Sequence, residues 1–121
     1  MSKKILFIED EVDIVTLMQA RLVSQGYQML SAFDGEEGLK MVQEEKPDLI
    51  LLDKIMPKID GLEVCQRLKS DPKTKDIPII IVSASGEKDL PERCQAARAD
   101  DLIIKPFEPE ELLSKIKKFI G

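Results

Sequence analysis

The sequence predicts an α/β fold, a doubly wound parallel sheet of five strands with helices on both faces. Five short apolar runs alternate with five segments of helical periodicity along the 121 residues, a pattern typical of consecutive βα units. The run at 77–82 is apolar without alternation, which indicates a strand covered on both faces. The length fits one domain, and no linker, repeat or low-complexity segment divides it.

The predicted elements alternate between strand and helix from one end of the chain to the other. Strands are expected from short apolar runs at residues 3–8, 27–33, 49–53, 77–82 and 102–104. Helices are expected from apolar residues at helical spacing at 11–25, 34 to about 45, 60–70, from about 90, and 109 to about 120. Core positions are expected at Val15, Met18, Leu62, Leu112 and Ile116.

Turn residues justify the boundaries of the first three helices. Gly26 is expected to end the first helix. Asp34 can cap the second helix, and Pro47-Asp48 breaks it before the third strand. The third helix is expected to begin at Asp60-Gly61 and to end at Asp71-Pro72. These turn residues therefore mark the end of the first predicted helix and both ends of the second and third.

The fourth helix is the weakest of the predicted elements. Pro91 is acceptable only in a first turn, so this helix is expected to start near Leu90. Its later positions are small: Cys94, Ala96, Ala97 and Ala99. A long loop at 84–89 precedes it. So little apolar area favours local mobility in this region.

Composition excludes several classes of function. The formal net charge of -5 argues against nonspecific binding of nucleic acid or of anionic membranes by this domain, because both need a basic face. No apolar stretch is long enough to cross a bilayer. The first four residues run straight into the first strand and leave no room for a signal peptide. The expected location is therefore the cytosol.

Histidine and cysteine usage narrows the chemistry further. The chain has no histidine, which removes the commonest general base and the commonest zinc ligand. It also means that the chain cannot supply a phosphohistidine of its own. Cys65 and Cys94 match no metal or redox spacing and are expected to be buried thiols on helices.

Charged residues follow three of the predicted strands. Glu9-Asp10-Glu11 follows the first strand, Asp53 ends the third, and Lys105 follows the fifth. Ligands of open α/β sheets bind at the carboxyl ends of the strands. Carboxylates grouped with a lysine at this edge suggest a divalent cation and a phosphoryl group.

The chain resembles the response-regulator receiver domains of two-component signalling over essentially its whole length. The resemblance is carried by fragments at the predicted strand ends: Ile8-Glu9-Asp10-Glu11, Leu51-Leu52-Asp53, Met56-Pro57, Asp60-Gly61-Leu62, Val82-Ser83-Ala84 and Lys105-Pro106-Phe107. It implies a flavodoxin-like sheet of order 2-1-3-4-5. We expect residues 1–121 to form a single receiver domain, with no effector domain in this chain.

The resemblance also implies roles for the acidic residues. Asp53 would accept a phosphoryl group from a phosphohistidine of a partner histidine kinase or phosphotransfer protein. Asp10 would bind Mg²⁺ directly together with Asp53 and the backbone carbonyl of Ile55, and Glu9 would contribute through water. Magnesium prefers such oxygen ligands and keeps several waters. Glu11 is expected only to cap the first helix and to interact with its dipole.

The remaining site residues come from the other two strand ends. Lys105 would pair with the phosphoryl oxygens, and the resemblance implies a cis Lys105–Pro106 bond that aims the lysine inward. Ser83 would donate its hydroxyl to the phosphoryl group, with Ser85 as a nearby competitor. Pro57 and Gly61 are interpreted as structural, the glycine permitting a backbone turn near the site.

Two departures from the family pattern concern signal output. Leu102 stands where the family usually has Tyr or Phe, and Arg98-Ala99 replaces the common Gly-Ala before the fifth strand. We hypothesise that output depends on the loop at 84–89 and on the fourth helix, read by a partner protein at the face of helix four, strand five and helix five. The domain is expected to be a monomer or a weak phosphorylation-dependent dimer. Lys54 directly follows the acceptor, and the apolar Ile55 and the short Ser85 are expected to alter phosphoryl lifetime.

Three other functions are compatible with parts of this sequence. A degenerate receiver that acts only as a docking module would tolerate Leu102 at the switch position. A Mg²⁺-dependent phosphatase of the haloacid dehalogenase type needs a second Asp two residues after the nucleophile, where this chain has Ile55. A flavin binder of the same topology needs a phosphate loop after the first strand, where the acidic triplet would repel the phosphate.

Overall fold

The computed structural model describes residues 2–56, 58–84 and 88–121. Five strands alternate with five helices, as predicted. The strands are β1 Lys4–Ile8, β2 Gln28–Ala32, β3 Leu49–Asp53, β4 Ile79–Ser83 and β5 Asp101–Ile104. The helices are α1 Val12–Ser24, α2 Gly35–Glu45, α3 Gly61–Ser70, α4 Leu90–Ala96 and α5 Pro109–Ile120.

All strand pairs are parallel, and the sheet order is β2-β1-β3-β4-β5. Ile8 lies opposite Leu52, and Asp53 lies opposite Val82. Ser83 lies opposite Ile104 in turn. The carboxyl ends of four neighbouring strands therefore lie side by side along one edge. The predicted doubly wound fold and its strand order are confirmed.

Two hydrophobic clusters cover the two faces of the sheet. One joins the sheet to α1 and α5 and contains Val15, Met18, Leu112 and Ile116. The other joins it to α2, α3 and α4 and contains Leu62. All five predicted core residues are buried. Every residue of β3 and β4 is buried too, as a strand covered on both faces requires.

The fourth strand starts two residues later than predicted. Ile77 belongs to a turn, because its amide donates to the carbonyl of Thr74 at 3.1 Å and its carbonyl accepts from the Lys69 ammonium at 2.9 Å. Pro78 lies at the junction, and its carbonyl accepts from Ile50 of β3. The apolar run begins before the paired strand because the turn and the strand are both partly or fully buried. Apolar residues are favoured in both, so the run does not show where the strand begins.

Helix α4 begins at Leu90 with Pro91 in its first turn, as predicted. Within the helix only Leu90 and Cys94 are buried. Arg98, just beyond it, has a left-handed backbone with φ of 65°. A glycine commonly occupies such a position, since a side chain there is strained. In the described part of the chain, no helix combines the length and apolar character that crossing a membrane requires.

Candidate functional site

Asp53 lies at the end of β3 and is only 5% exposed. The peptide that follows it is held from both sides. The Lys54 amide donates to Val82 of β4 at 3.0 Å, and the Lys54 carbonyl accepts from Gly61 of α3 at 2.8 Å. The Asp53 carboxylate is therefore presented on a segment that both a strand and a helix position.

Gly61 is needed here for close approach. A Cβ atom at this position would lie 2.2 Å from the Asp53 carbonyl oxygen and 2.8 Å from Lys54 Cα. Its φ is not in the left-handed region, so the predicted structural role holds, but the reason is space and not turn conformation. Asp60 caps α3 by accepting from the amide of Leu62 at 2.7 Å. Pro57 lies outside the described residues.

Glu9 follows β1 and is completely buried. Its Oε1 accepts a hydrogen bond from Lys105 Nζ at 2.8 Å, and its Oε2 accepts from the amide of Asp10 at 3.1 Å. Burial raises the pKa of Glu9, and the neighbouring Asp53 carboxylate raises it further, while Lys105 opposes both. Asp10 is exposed. The acidic cluster thus has one buried and one exposed member from the same turn.

Lys105 reaches inward from the end of β5. Its Nζ lies 2.8 Å from Glu9 Oε1 and 3.6 Å from Asp53 Oδ2, and its amide donates to the carbonyl of Ser83 at 2.7 Å. The bond to Pro106 is cis, as the resemblance implies. Burial alone would lower the pKa of Lys105, but the hydrogen bond to Glu9 and the charges of Asp53 and Glu9 raise it above its usual value.

Oxygen atoms of Glu9, Asp10 and Asp53 all lie within 4.8 Å of one another. Two of these carboxylates are buried, and they repel each other unless a cation lies between them. Hard oxygen donors of this kind suit Mg²⁺, which needs only one or two carboxylates. The donor set therefore fits a magnesium ion at this edge of the sheet.

The structure also shows where the other predicted residues lie. Ser83 ends β4 and is buried at the same edge. The side chain of Ile55 is 63% exposed, and its amide donates to Asp53 Oδ1 at 3.4 Å. Ser85 lies outside the described residues, as do 86 and 87 of the loop at 84–89.

One predicted role for the acidic triplet is wrong in its detail. Glu11 occupies the N-cap position of α1, but its side chain makes no capping hydrogen bond. Instead the Glu11 amide lies 3.5 Å from Glu9 Oε2, at the limit of a hydrogen bond. The buried Glu9 carboxylate turns back toward this amide, and the Glu11 side chain does not cap the helix.

Sequence reasoning missed two features of the site. It assigned Glu9 a supporting role, whereas Glu9 makes the shortest contact to Lys105. It also treated Lys54 only as the neighbour of the acceptor, whereas Lys54 is 4% exposed. A lysine is normally at the surface, so neither residue carried a signal in the sequence that could have shown its burial.

Comparison with known proteins identifies the family. The family model described as "Response regulator receiver domain" matches residues 5–117. A relative from Cyanophora paradoxa, "Probable transcriptional regulator ycf27", is 43% identical over 120 residues, covering 98% of this chain and 48% of the relative. The "Alkaline phosphatase synthesis transcriptional regulatory protein PhoP" of Bacillus subtilis is 42% identical, covering 99% of this chain and 49% of that protein.

Solved structures agree with this assignment. The chemotaxis protein CheY4 of Vibrio cholerae superposes with a TM-score of 0.93 at 27% identity, covering 99% of this chain and 100% of that one. The chain therefore belongs to the response regulator receiver domain family. It is a receiver domain of two-component signalling, and it spans about half the length of the two transcriptional regulators.

Proposed function

We propose that this receiver is a phosphorylation-controlled switch in which Asp53 accepts a phosphoryl group from a phosphohistidine of a partner kinase or phosphotransfer protein. The observation that carries the proposal is the position of Lys105 Nζ, 2.8 Å from the buried Glu9 and 3.6 Å from Asp53. A partly buried ammonium held beside a strand-end carboxylate is suited to binding the oxygens of a transferred phosphoryl group.

The chemistry is a phosphoryl transfer between two nucleophiles. The bond between phosphorus and the donor imidazole nitrogen breaks, the electron pair stays on that nitrogen, and a new bond forms to a carboxylate oxygen of Asp53. Lys105 stabilises the charge on the phosphoryl oxygens. The Ile55 amide, 3.4 Å from Asp53 Oδ1, helps to keep the other oxygen in place. The hydroxyl of Ser83 donates to the phosphoryl group once it has arrived.

Asp10, Asp53 and the backbone carbonyl of Ile55 would hold Mg²⁺, with Glu9 acting through water. When bound, the ion neutralises charge on the phosphoryl oxygens and on the clustered carboxylates. Glu9 already contacts Lys105 directly. It therefore has a second task, which is to keep the lysine turned inward when no phosphoryl group is present.

The output is proposed to be a change in the surface of α4, β5 and α5, which a partner protein reads. Leu102 is half-buried and packs on the cluster that contains Leu90 and Cys94 of α4. With no aromatic ring at this position, the signal depends on α4 itself. The purpose is signalling and not turnover, although the domain assists its own phosphorylation and dephosphorylation.

Whether nucleic acid is involved depends on the whole protein. Relatives of this chain are transcriptional regulators by name, and the chain aligns with about half of their length. Because the net charge of residues 1–121 is -5, we infer that this domain does not itself contact nucleic acid. A cytosolic location follows from the proposed role beside a kinase and remains a prediction.

A docking module that never accepts phosphate is the second candidate, and Leu102 is the observation that favours it. The phosphatase alternative is disfavoured because Ile55, where that mechanism needs an acid–base Asp, is an exposed apolar side chain. The flavin alternative is disfavoured because the carboxylates after β1 would repel the flavin phosphate.

Labelling with acetyl phosphate and Mg²⁺ tests the proposal. Wild type should gain one phosphoryl group, detected by mass spectrometry, and Asp53→Ala should gain none. Asp13→Ala, an exposed carboxylate on α1, is the matched control and should label like wild type. Equal labelling of wild type and Asp53→Ala would overturn the site assignment, and no labelling of wild type by acetyl phosphate or a kinase would favour the docking module.

A further inference from the structure

The connection between β3 and α3, described at residues 54–56 and 58–60, is closed at its base by a hydrogen bond. The Lys54 carbonyl accepts from the Gly61 amide at 2.8 Å. The connection carries Ile55, whose backbone carbonyl is proposed to bind Mg²⁺. The Ile55 side chain is exposed, and its amide lies 3.4 Å from Asp53 Oδ1, a long hydrogen bond. The position of the carbonyl therefore depends on contacts made further along the connection.

Lys58 attaches this connection to the start of α2. Its Nζ lies 3.5 Å from Asp34 Oδ2 and 3.6 Å from Glu36 Oε2. The two segments are also in close contact, because a Cβ atom at Gly35 would lie 2.9 Å from Ile59 Cβ and 3.1 Å from the Ile59 carbonyl oxygen. The ion pairs of Lys58 therefore join two segments that already pack against each other.

Local structure disfavours a lysine at position 58. The backbone of Lys58 is left-handed, with φ of 73°, a conformation that favours glycine over any residue with a side chain. Its ammonium also lies beside the first turn of α2, where the helix dipole repels a cation. Exposed ion pairs add little to stability. The lysine is therefore better explained by the segment that its side chain holds in place than by stability.

Asp34 is a firm anchor for Lys58 because its other carboxylate oxygen caps α2. Asp34 Oδ1 accepts from the Glu37 amide at 2.8 Å, and Glu37 Oε1 accepts from the Phe33 amide at 2.6 Å. These reciprocal hydrogen bonds fix the first turn of the helix. The charges of Asp34 and Glu36 raise the pKa of Lys58 above its usual value, which keeps the ammonium charged.

We propose that Lys58 is a positioning residue for Mg²⁺ binding, because it ties the connection that carries the Ile55 carbonyl to the capped start of α2. The inference rests on the proposed metal site of Asp10, Asp53 and Ile55. A carbonyl that is held in place before the ion arrives loses less freedom on binding, so the affinity is higher. A purely long-range effect of Lys58 would have the opposite sign, because two cations repel each other.

Thermal unfolding at a series of Mg²⁺ concentrations measures the affinity, because an ion that binds only the folded chain raises Tm by mass action. Lys58→Met removes the charge and keeps the length of the side chain. It should bind Mg²⁺ about threefold to fivefold more weakly than wild type, the upper range of what exposed ion pairs supply. Lys58→Arg keeps the charge and should keep the wild-type affinity.

Lys40→Met, at an exposed position of α2, is the matched control for the loss of one positive charge and should bind Mg²⁺ at least as tightly as wild type. Asp34→Asn keeps an oxygen for the cap but loses the charge that pairs with Lys58. Combined with Lys58→Met, it should weaken binding by less than the product of the two separate factors.

Four results would overturn the proposal. They are wild-type or tighter binding of Mg²⁺ by Lys58→Met, an equal loss in Lys40→Met, an equal loss in Lys58→Arg, and independent effects of Lys58→Met and Asp34→Asn. Tighter binding by Lys58→Met would show that the charge acts on the ion at long range and does not position the carbonyl.

Hydrogen exchange in metal-free buffer separates this proposal from the proposed function. The amides of Ile55, Met56 and Ile59 should exchange about threefold to fivefold faster in Lys58→Met than in wild type. If Mg²⁺ left the Tm of wild type unchanged, the proposed metal site would fall, while this comparison still tested whether Lys58 holds the connection. Mg²⁺ binding by wild type, with unchanged exchange and affinity in Lys58→Met, would refute only the role of Lys58.

Discussion

Replacing Lys69 with methionine removes a buried ammonium that joins the end of α3 to the starts of β4 and β5. Lys69 Nζ donates to Asp100 Oδ2 at 2.7 Å, and to the carbonyls of Ile77 at 2.9 Å and Lys75 at 3.1 Å. The side chain is only 8% exposed. Three chain segments at the edge opposite the acceptor site therefore share one cation.

The loss can be bounded from these contacts. Removing one partner of a buried ion pair costs about 3–5 kcal/mol. Asp100 is 34% exposed and keeps a hydrogen bond from the Ile79 amide at 2.8 Å, so part of its charge stays solvated. Methionine fills a similar volume and leaves no large cavity. We expect a loss of about 2–3 kcal/mol, which lowers Tm by roughly 8–12 °C for a domain of this size.

Urea unfolding followed by circular dichroism measures this change at constant m-value. Lys73→Met, at an exposed site in the loop after α3, is the control and should stay within about 0.5 kcal/mol of wild type. In a double-mutant cycle with Asp100→Asn, the pair should show a coupling of at least about 1 kcal/mol. Additive single effects, or a Lys69→Met loss no larger than that of Lys73→Met, would refute the reasoning.

Three further perturbations test the site and its surroundings. Glu9→Gln should gain stability relative to wild type in metal-free buffer as the pH rises above about 4.5. Burial raises the pKa of Glu9 above this ordinary value, so ionisation of the carboxyl group opposes folding once the unfolded chain is ionised. Arg98→Gly should raise the free energy of unfolding by about 0.5–1 kcal/mol, because glycine accepts the φ of 65°. Gly61→Ala should cost about 1–3 kcal/mol and slow labelling of Asp53, because its Cβ meets backbone at 2.2 Å.

Each of these has a matched control and a contradicting result. If the free energies of unfolding of wild type and Glu9→Gln changed in parallel with pH, burial would not raise the pKa of Glu9. Arg98→Ala keeps the left-handed backbone and should show no gain, so an equal gain would point to the lost arginine side chain. Gly26 has a φ of 91°, but a Cβ atom added there would meet no neighbouring atom. Gly26→Ala should therefore lower stability without any effect on the labelling of Asp53.

Local sequence signals predicted the ends of helices correctly where one residue acts on its own segment of the chain. Asp34 caps α2 by accepting from the Glu37 amide at 2.8 Å, as predicted. Pro91 limits where α4 can begin, and the helix starts at Leu90 as expected. In these cases the bond or clash lies within one turn of the residue that causes it, so the sequence contains both partners.

Local signals failed where two segments compete for the same residue. Ile77 reads as strand in an apolar run, but its carbonyl is taken by Lys69, eight residues away. Glu11 has the position of a helix cap but makes no capping hydrogen bond, and the Glu9 carboxylate accepts instead from the backbone amide of Asp10 before the helix. The hydrogen bond that forms at each of these positions does not depend on residue type alone. It depends on which donor or acceptor from another part of the chain lies nearby in the folded structure.

The sequence by itself determined the alternation of strands and helices, and it placed the acids and the lysine at strand ends, because periodicity and turn residues act over a few positions. Only the tertiary structure decided which charged side chains are buried. Lys54 and Lys69 are buried and Lys105 is partly buried, whereas most other lysines of the described residues are exposed. Lys69 binds the ends of three segments, and Lys105 pairs with Glu9 beside Asp53. Burial of a charge depends on contacts between distant segments, and periodicity along the chain cannot report them.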